Sequence, residues 1–303
     1  MISGAVDEML FRLAQLGSKP LAQTSFVSVL HVERLHDECS FRNASAFARS
    51  YLECTGARAV LTVMTPAAPM LQLELGAACF PESAYHDRIA ALAEYADIGL
   101  HGHFLREPSI ERRPVHNYWS DAKLVRSQIA RETSWLESRG LMQRRVYSGG
   151  WWYFDATVLS VLQDLDFEFD FTASTARYNR SPIANRLRSS LAPLMPFLHS
   201  GDFRLASIPA VSGICGSTRR SAVPHRLIRA FPLHILQRRR MVVSLYGHDW
   251  DMNVEAAMRT VADLQVHGAP LVSLADLDSL AAIARRTEHG DGPTSKDSTP
   301  AAR

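Results

Sequence analysis

DIGLHGHFLRE (residues 97–107) closes a short apolar run with two histidines, His101 and His103, spaced two apart. Residues i and i+2 of an extended chain project to the same face, so both imidazoles point one way if the strand runs that far. Polar residues at a strand end carry weight when other strands end in the same manner. FVSVLHVE (26–33) ends on His31 and Glu33, again two apart. RVYSGGWW (145–152) passes Tyr147 and two glycines to reach Trp151 and Trp152. MVVSLYGHDWD (241–251) runs to His248, Asp249 and Asp251.

Outward from these ends, short β-rich runs alternate with helical stretches. Strands read at 25–32, 58–64, 97–103, 145–149, 167–174, 205–213, 241–248 and 270–274. Helices read at 43–56 (Asn43 as N-cap, Gly56 as stop), 82–95, 120–140 (a serine cap and a closing glycine), 155–165 and 253–268. A basic helical stretch at 225–240 is interrupted by Pro232. Seven or eight strand–helix units in regular order place the chain in the α/β class with a parallel sheet. The simplest closure is a distorted (β/α) barrel of seven or eight units, and 303 residues suit a barrel of about 250. A doubly wound open sheet is the alternative. No GxGxxG or GxxxxGK[ST] follows a strand, which argues against a dinucleotide or P-loop site.

Residues 23–284 read as the barrel domain, 1–22 as an N-terminal helical extension and 285–303, rich in polar residues, Gly and Pro, as a disordered tail. Apolar content of 47% supports a sizeable core. No run of about 18 apolar residues reads as a membrane span. Asp7 and Glu8 interrupt the N-terminus before any signal-like apolar core, so the expected location is cytoplasmic. The four cysteines are scattered and read as reduced thiols. Charge is uneven: 175–240 holds twelve arginines against one acid, Asp202, a net +11. That segment is expected to meet an anion, either the phosphate of a nucleotide- or lipid-linked sugar or an anionic inner-membrane surface. No nucleic-acid module appears, so nucleic acid is not an expected partner.

In a parallel barrel, chemistry gathers at the C-terminal ends of the strands. Two imidazoles and a carboxylate are a common ligand set for a catalytic divalent metal, Zn²⁺ above all, with a fourth position open for water. Glu33, His101 and His103 are the expected ligands, with His116 of the loop RRPVHNYW as a further candidate. Glu33, His248 and Asp249 are candidates for proton transfer. His31, Tyr147, Trp151 and Trp152 are expected to meet substrate, the aromatic faces suiting a sugar ring.

The order of these pieces resembles the polysaccharide deacetylase superfamily (NodB homology, carbohydrate esterase family 4). FVSVLHVERLHDE, YLECTGARAVLTVM, EYADIGLHGHF, RVYSGGWWYFDATVLSVLQDLDFEFDFTAS and VVSLYGHDW correspond to its landmarks across roughly residues 25–275. The resemblance implies a distorted barrel and metal-dependent removal of an acyl group, usually acetyl, from a sugar. The bond cleaved would be a C–N (amide) bond or an ester. His101 matches the first histidine of the family's HxxxH motif, whereas Leu105 stands at the second, so His103 or His116 must take its place. The family's acidic pair is absent and Glu33 is the nearest acid; Tyr147 or Ser148 replaces an expected arginine. His248 matches the late histidine that acts as general acid in the family. A barrel of altered chemistry that binds a glycan or a nucleotide- or lipid-linked sugar is the alternative.

Overall fold

The computed structural model describes residues 24–109, 121–172, 205–208, 210–214 and 241–278. Its strands are β1 (Thr24–Val32), β2 (Ala59–Val63), β3 (Ala96–Gly102), β4 (Val146–Gly149), β5 (Phe169–Asp170), β6 (Ala206–Ser207), β7 (Ala210–Gly213) and β8 (Met241–His248). The helices are α1 (Glu38–Thr55), α2 (Pro69–Ala77), α3 (Glu82–Ala93), α4 (Ala122–Glu137), α5 (Ala156–Asp164) and α6 (Val254–Val266). Every ladder is parallel, in the order β6-β5-β4-β3-β2-β1-β8-β7. The two edge pieces, β6 and β7, are separated in the chain only by Ile208 and Pro209. One stretch of chain therefore serves both edges, and the sheet curls round into a distorted (β/α) barrel.

Alternation along the strands sorts residues to the two sides of the barrel wall. From β1, Phe26, Leu30 and Val32 face outward and pack with Ala44, Phe47 and Tyr51 of α1 in a large layer between sheet and helices. Val27 and Val29 face inward and join Val60, Val146, Phe169, Ala206 and Val242. Val272, Leu274 and Leu277 close this inner core from below. Burying each such side chain contributes about 1.5–3 kcal/mol relative to exposure. The inward positions change character further along the strands. Val27 and Val29 give way to His31 and Glu33, and Val242 gives way to Ser244, Tyr246 and His248. The barrel is thus apolar at one end and polar at the other.

Local chemistry explains where helices begin. Asp37 caps α1 by accepting from the Ser40 N–H at 2.8 Å, and Gly56 ends it with φ 71°. The expected cap, Asn43, instead lies inside α1 and donates its side-chain amide to the Asp249 carbonyl. Asp121, one residue past the expected serine, caps α4 through two backbone N–H groups at 2.9 Å. Sequence patterning missed α2, whose first position is Pro69 and whose mixed apolar faces leave no clear period. The expected strand at 270–274 is reduced to one bridge, Phe26 to Leu271, because Val272 and Leu274 turn down to cap the barrel. The helical extension at 1–22, the tail at 285–303, His116 and most of 175–240 lie outside the described residues. No helix among the described residues is long and apolar enough to cross a membrane.

Candidate active site

Ladder register decides which polar residues meet. His31 of β1 is paired with His248 of β8 on one side and with Thr62 of β2 on the other, and Thr62 is paired with Gly99 of β3. These four share a layer. Two residues further on, Glu33 and His101 occupy the next layer on the same face. A Cβ on Gly99 would meet the Val146 carbonyl at 2.9 Å, and the His31 and His101 rings stack with centroids 4.7 Å apart. Ser148 of β4, paired with His101, bonds His31 Nε2 through its hydroxyl at 2.9 Å.

Glu33 is the hub. Its Oε1 lies 3.1 Å from His101 Nε2 and 3.6 Å from His103 Nε2. Each of Glu33, His101 and His103 is buried and offers a ligand atom, and these atoms all lie within 4.8 Å of one another. Burial by itself raises the Glu33 pKa, but the His101 hydrogen bond and the two imidazoles beside it hold it well below the usual carboxylate value. Burial pushes His101 down to about 4, so its imidazole is neutral near pH 7. Burial also lowers His31, with His101 and His248 opposing a further positive charge. A carboxylate facing the neutral His101 imidazole suits a divalent cation.

The turn after β4 shapes the third member of this trio. A Cβ on Gly150 would come no farther than 2.5 Å from His103 Cε1, Nε2 or Nδ1, so the ring rests directly on the glycine backbone. The ring of His103 takes the space that a side chain at 150 would fill. Gly102 serves the outer side of the wall, where a Cβ would meet Phe104 Cζ at 2.7 Å and Tyr147 at 2.8 Å. Trp151 and Trp152 follow with φ of 53° and 58°, left-handed values that cost a bulky residue energy. Trp152 is edge-on to His31 and Tyr246, at 5.3 and 4.7 Å between centroids. Trp151 is 50% exposed.

His248 packs edge-on to His31 at 5.1 Å, with its Nδ1 3.8 Å from Asp251 Oδ1. Trp250, 46% exposed, lies tilted over the other side of His248 at 5.1 Å. Two expected site residues are placed elsewhere. Tyr147 faces the helices, fully buried, stacked on Phe104 and edge-on to Phe167, so it lies across the wall from His101. Asp249 is buried and accepts the backbone N–H of Arg34 at 2.7 Å and of Trp250 at 3.0 Å. It braces the segment carrying Glu33 against β8. Ser148, Tyr246 and Trp250 were not expected. Tyr246 was detectable, being two before His248 and therefore on its face.

No protein-family model matches the sequence, and no curated protein is similar to it in sequence. Among solved structures, a provisionally assigned polysaccharide deacetylase from Mycobacterium smegmatis superposes with a TM-score of 0.54 at 12% identity, over 88% of this chain and 91% of that one. The chain has the fold of a polysaccharide deacetylase. A family 4 carbohydrate esterase pseudoenzyme from Bacillus anthracis matches at TM-score 0.45 and 7% identity, over 84% of this chain and 64% of that one. A family 4 carbohydrate esterase from Streptomyces lividans, in complex with acetate, matches at 0.38 and 12%, over 82% and 91%. On this deacetylase fold, Glu33, His101 and His103 sit at the C-terminal mouth of the barrel, the end at which such folds carry chemistry.

Proposed function

We propose that this chain is a metal-dependent hydrolase that removes an acyl group, acetyl first among them, from a sugar or glycan by cleaving a C–N bond. The observation that carries the reading is the convergence of one buried carboxylate and two buried imidazoles within 4.8 Å at the polar end of the barrel. Two imidazole nitrogens and one carboxylate oxygen are a donor set that fits a divalent cation of the Zn²⁺ type. When bound, such an ion polarises a carbonyl and lowers the pKa of a water to the neutral range.

Glu33, His101 and His103 hold the ion. His31, neutral and fixed by Ser148, forms the wall beside them. His248 is the group that returns a proton to the departing amine nitrogen. It is only partly buried, and Asp251 orients its Nδ1 side. Trp151 presents an exposed indole face for a sugar ring, while Trp152 closes the site over His31.

The test is metal content together with acetate release from N-acetylated sugars and chito-oligosaccharides. Wild-type protein is expected to carry about one equivalent of metal and to release acetate, and the His101→Ala/His103→Ala double variant to do neither. Equal behaviour of the two proteins removes the reading. A second reading, a barrel that binds a glycan without hydrolysing it, is favoured by the carboxylates themselves. Glu33 already faces both imidazoles and Asp249 is committed to two backbone N–H groups. Glycan binding with metal present and no acetate released decides for that reading.

A further inference from the structure

Helix α4 buries Gln128 and Glu132 in a face that packing would fill with hydrocarbon. Gln128 and Glu132, one turn apart, lie among Val125, Ile129 and Leu136. Both are buried, Glu132 completely. The Gln128 Nε2 group donates one hydrogen to the His103 carbonyl at 3.1 Å and the other to Glu132 Oε1 at 2.9 Å. Glu132 Oε2 accepts from the Thr65 hydroxyl at 3.0 Å. The line therefore runs from Thr65, just past β2, through α4 to His103, just past β3.

Two acceptors on one amide nitrogen fix its orientation. A flipped Gln128 would set its oxygen against both the His103 carbonyl and the Glu132 carboxyl. Glu132 thus holds the amide in the one rotamer that serves His103. The need for such a device follows from where His103 stands. β3 ends at Gly102, one residue before His103. Its ring rests on Gly150, and its carbonyl rests on Gln128.

We propose that Gln128, held by Glu132, is a positioning residue that fixes the His103 backbone so that its imidazole meets the metal held by Glu33 and His101. This rests on the metal-centre reading above and adds what that reading lacks, a reason why a histidine beyond the strand end serves as a ligand.

The experiment compares Zn²⁺ affinity, by competition with a chromophoric chelator, in wild-type full-length protein and in Gln128→Asn, Gln128→Leu, Thr65→Val and Glu132→Gln. Thermal midpoints and the visible spectrum of the Co²⁺-loaded proteins accompany it. Gln128→Asn, one methylene too short to reach His103, is expected to weaken Zn²⁺ binding by about 10–100-fold and to alter the Co²⁺ spectrum. Thr65→Val removes a buried hydrogen bond of the same network but leaves the Gln128 bond to His103. It should lower the thermal midpoint with affinity changed less than about threefold. Glu132→Gln keeps an acceptor for Gln128, so its Zn²⁺ affinity should change less than about threefold. Gln128→Asn guards against the case in which Gln128→Leu does not fold. If the wild type binds Zn²⁺ and Gln128→Asn binds it equally with an unchanged Co²⁺ spectrum, the positioning role is wrong and the metal centre stands. If the wild type binds no Zn²⁺, both fall.

Discussion

Adding one methyl group at Gly150 is the sharpest probe of the site. A Cβ there would lie at most 2.5 Å from three atoms of the His103 ring, where ordinary contact begins at 3.4 Å. The ring or the backbone must therefore recede by at least 0.9 Å, the difference of those two distances. Metal ligation tolerates about 0.2 Å in bond length, so a His103 displaced that far no longer completes the set with Glu33 and His101. Gly150→Ala is expected to weaken Zn²⁺ binding at least about tenfold, or about 1.4 kcal/mol. Overpacking should add roughly 1–3 kcal/mol of destabilisation. Isothermal titration with Zn²⁺ measures the first quantity and urea unfolding of the metal-free protein the second. A Gly150→Ala protein that binds Zn²⁺ within about threefold of wild type would refute the argument that His103 is a ligand seated on Gly150.

Zn²⁺ at about 100 times its dissociation constant should stabilise the fold by roughly 2.7 kcal/mol, reversed by EDTA; a thermal midpoint indifferent to both rules the centre out. Burial pushes Glu132 up to about 7 from its ordinary 4.5, despite bonds from Gln128 and Thr65 that favour its charged form. Its stabilising contribution is complete below pH 4.5 and is lost as pH rises through 7, so Glu132→Gln should gain on wild type across that window by something on the order of 2–3 kcal/mol. A stability difference that stays constant from pH 4.5 to 8 contradicts this. Asp249→Ala strands the N–H groups of Arg34 and Trp250 and should cost about 2–4 kcal/mol in unfolding free energy; a loss of activity without loss of stability would return Asp249 to a catalytic role. Trp151→Ala should raise KM for a sugar substrate several-fold with the thermal midpoint unchanged, and an unaltered KM excludes Trp151 from substrate contact.

Much of the fold was legible because strand alternation and helix period are local properties. The strands β1 to β4 and the helices α3 to α6 follow from hydrophobic spacing and glycine stops, whereas the caps of α1 and α4 are Asp37 and Asp121 in place of the expected Asn43 and serine. Elements failed where the local signal was weak or overruled. α2 lacks a hydrophobic period, and the chain at 270–274 gave up its strand to close the barrel floor. At the site, the trio Glu33, His101 and His103 was readable from i,i+2 spacing at two strand ends. Tyr147 was misread because a residue one step off that spacing faces the other side of the wall. The bonds of Asp249 were not legible because the N–H groups that claim its carboxylate belong partly to Arg34, 215 residues away.

Sequence alone determined an α/β barrel, its polar end, and the pair of strand termini from which a metal centre can be built. These depend on period and on residue type, which any short window contains. Tertiary structure decided which carboxylate is shared by two imidazoles, why His103 needs a glycine at 150, and that Gln128 and Glu132 stand behind it. Those are distances between segments far apart in the chain, and only ladder register and helix packing set them.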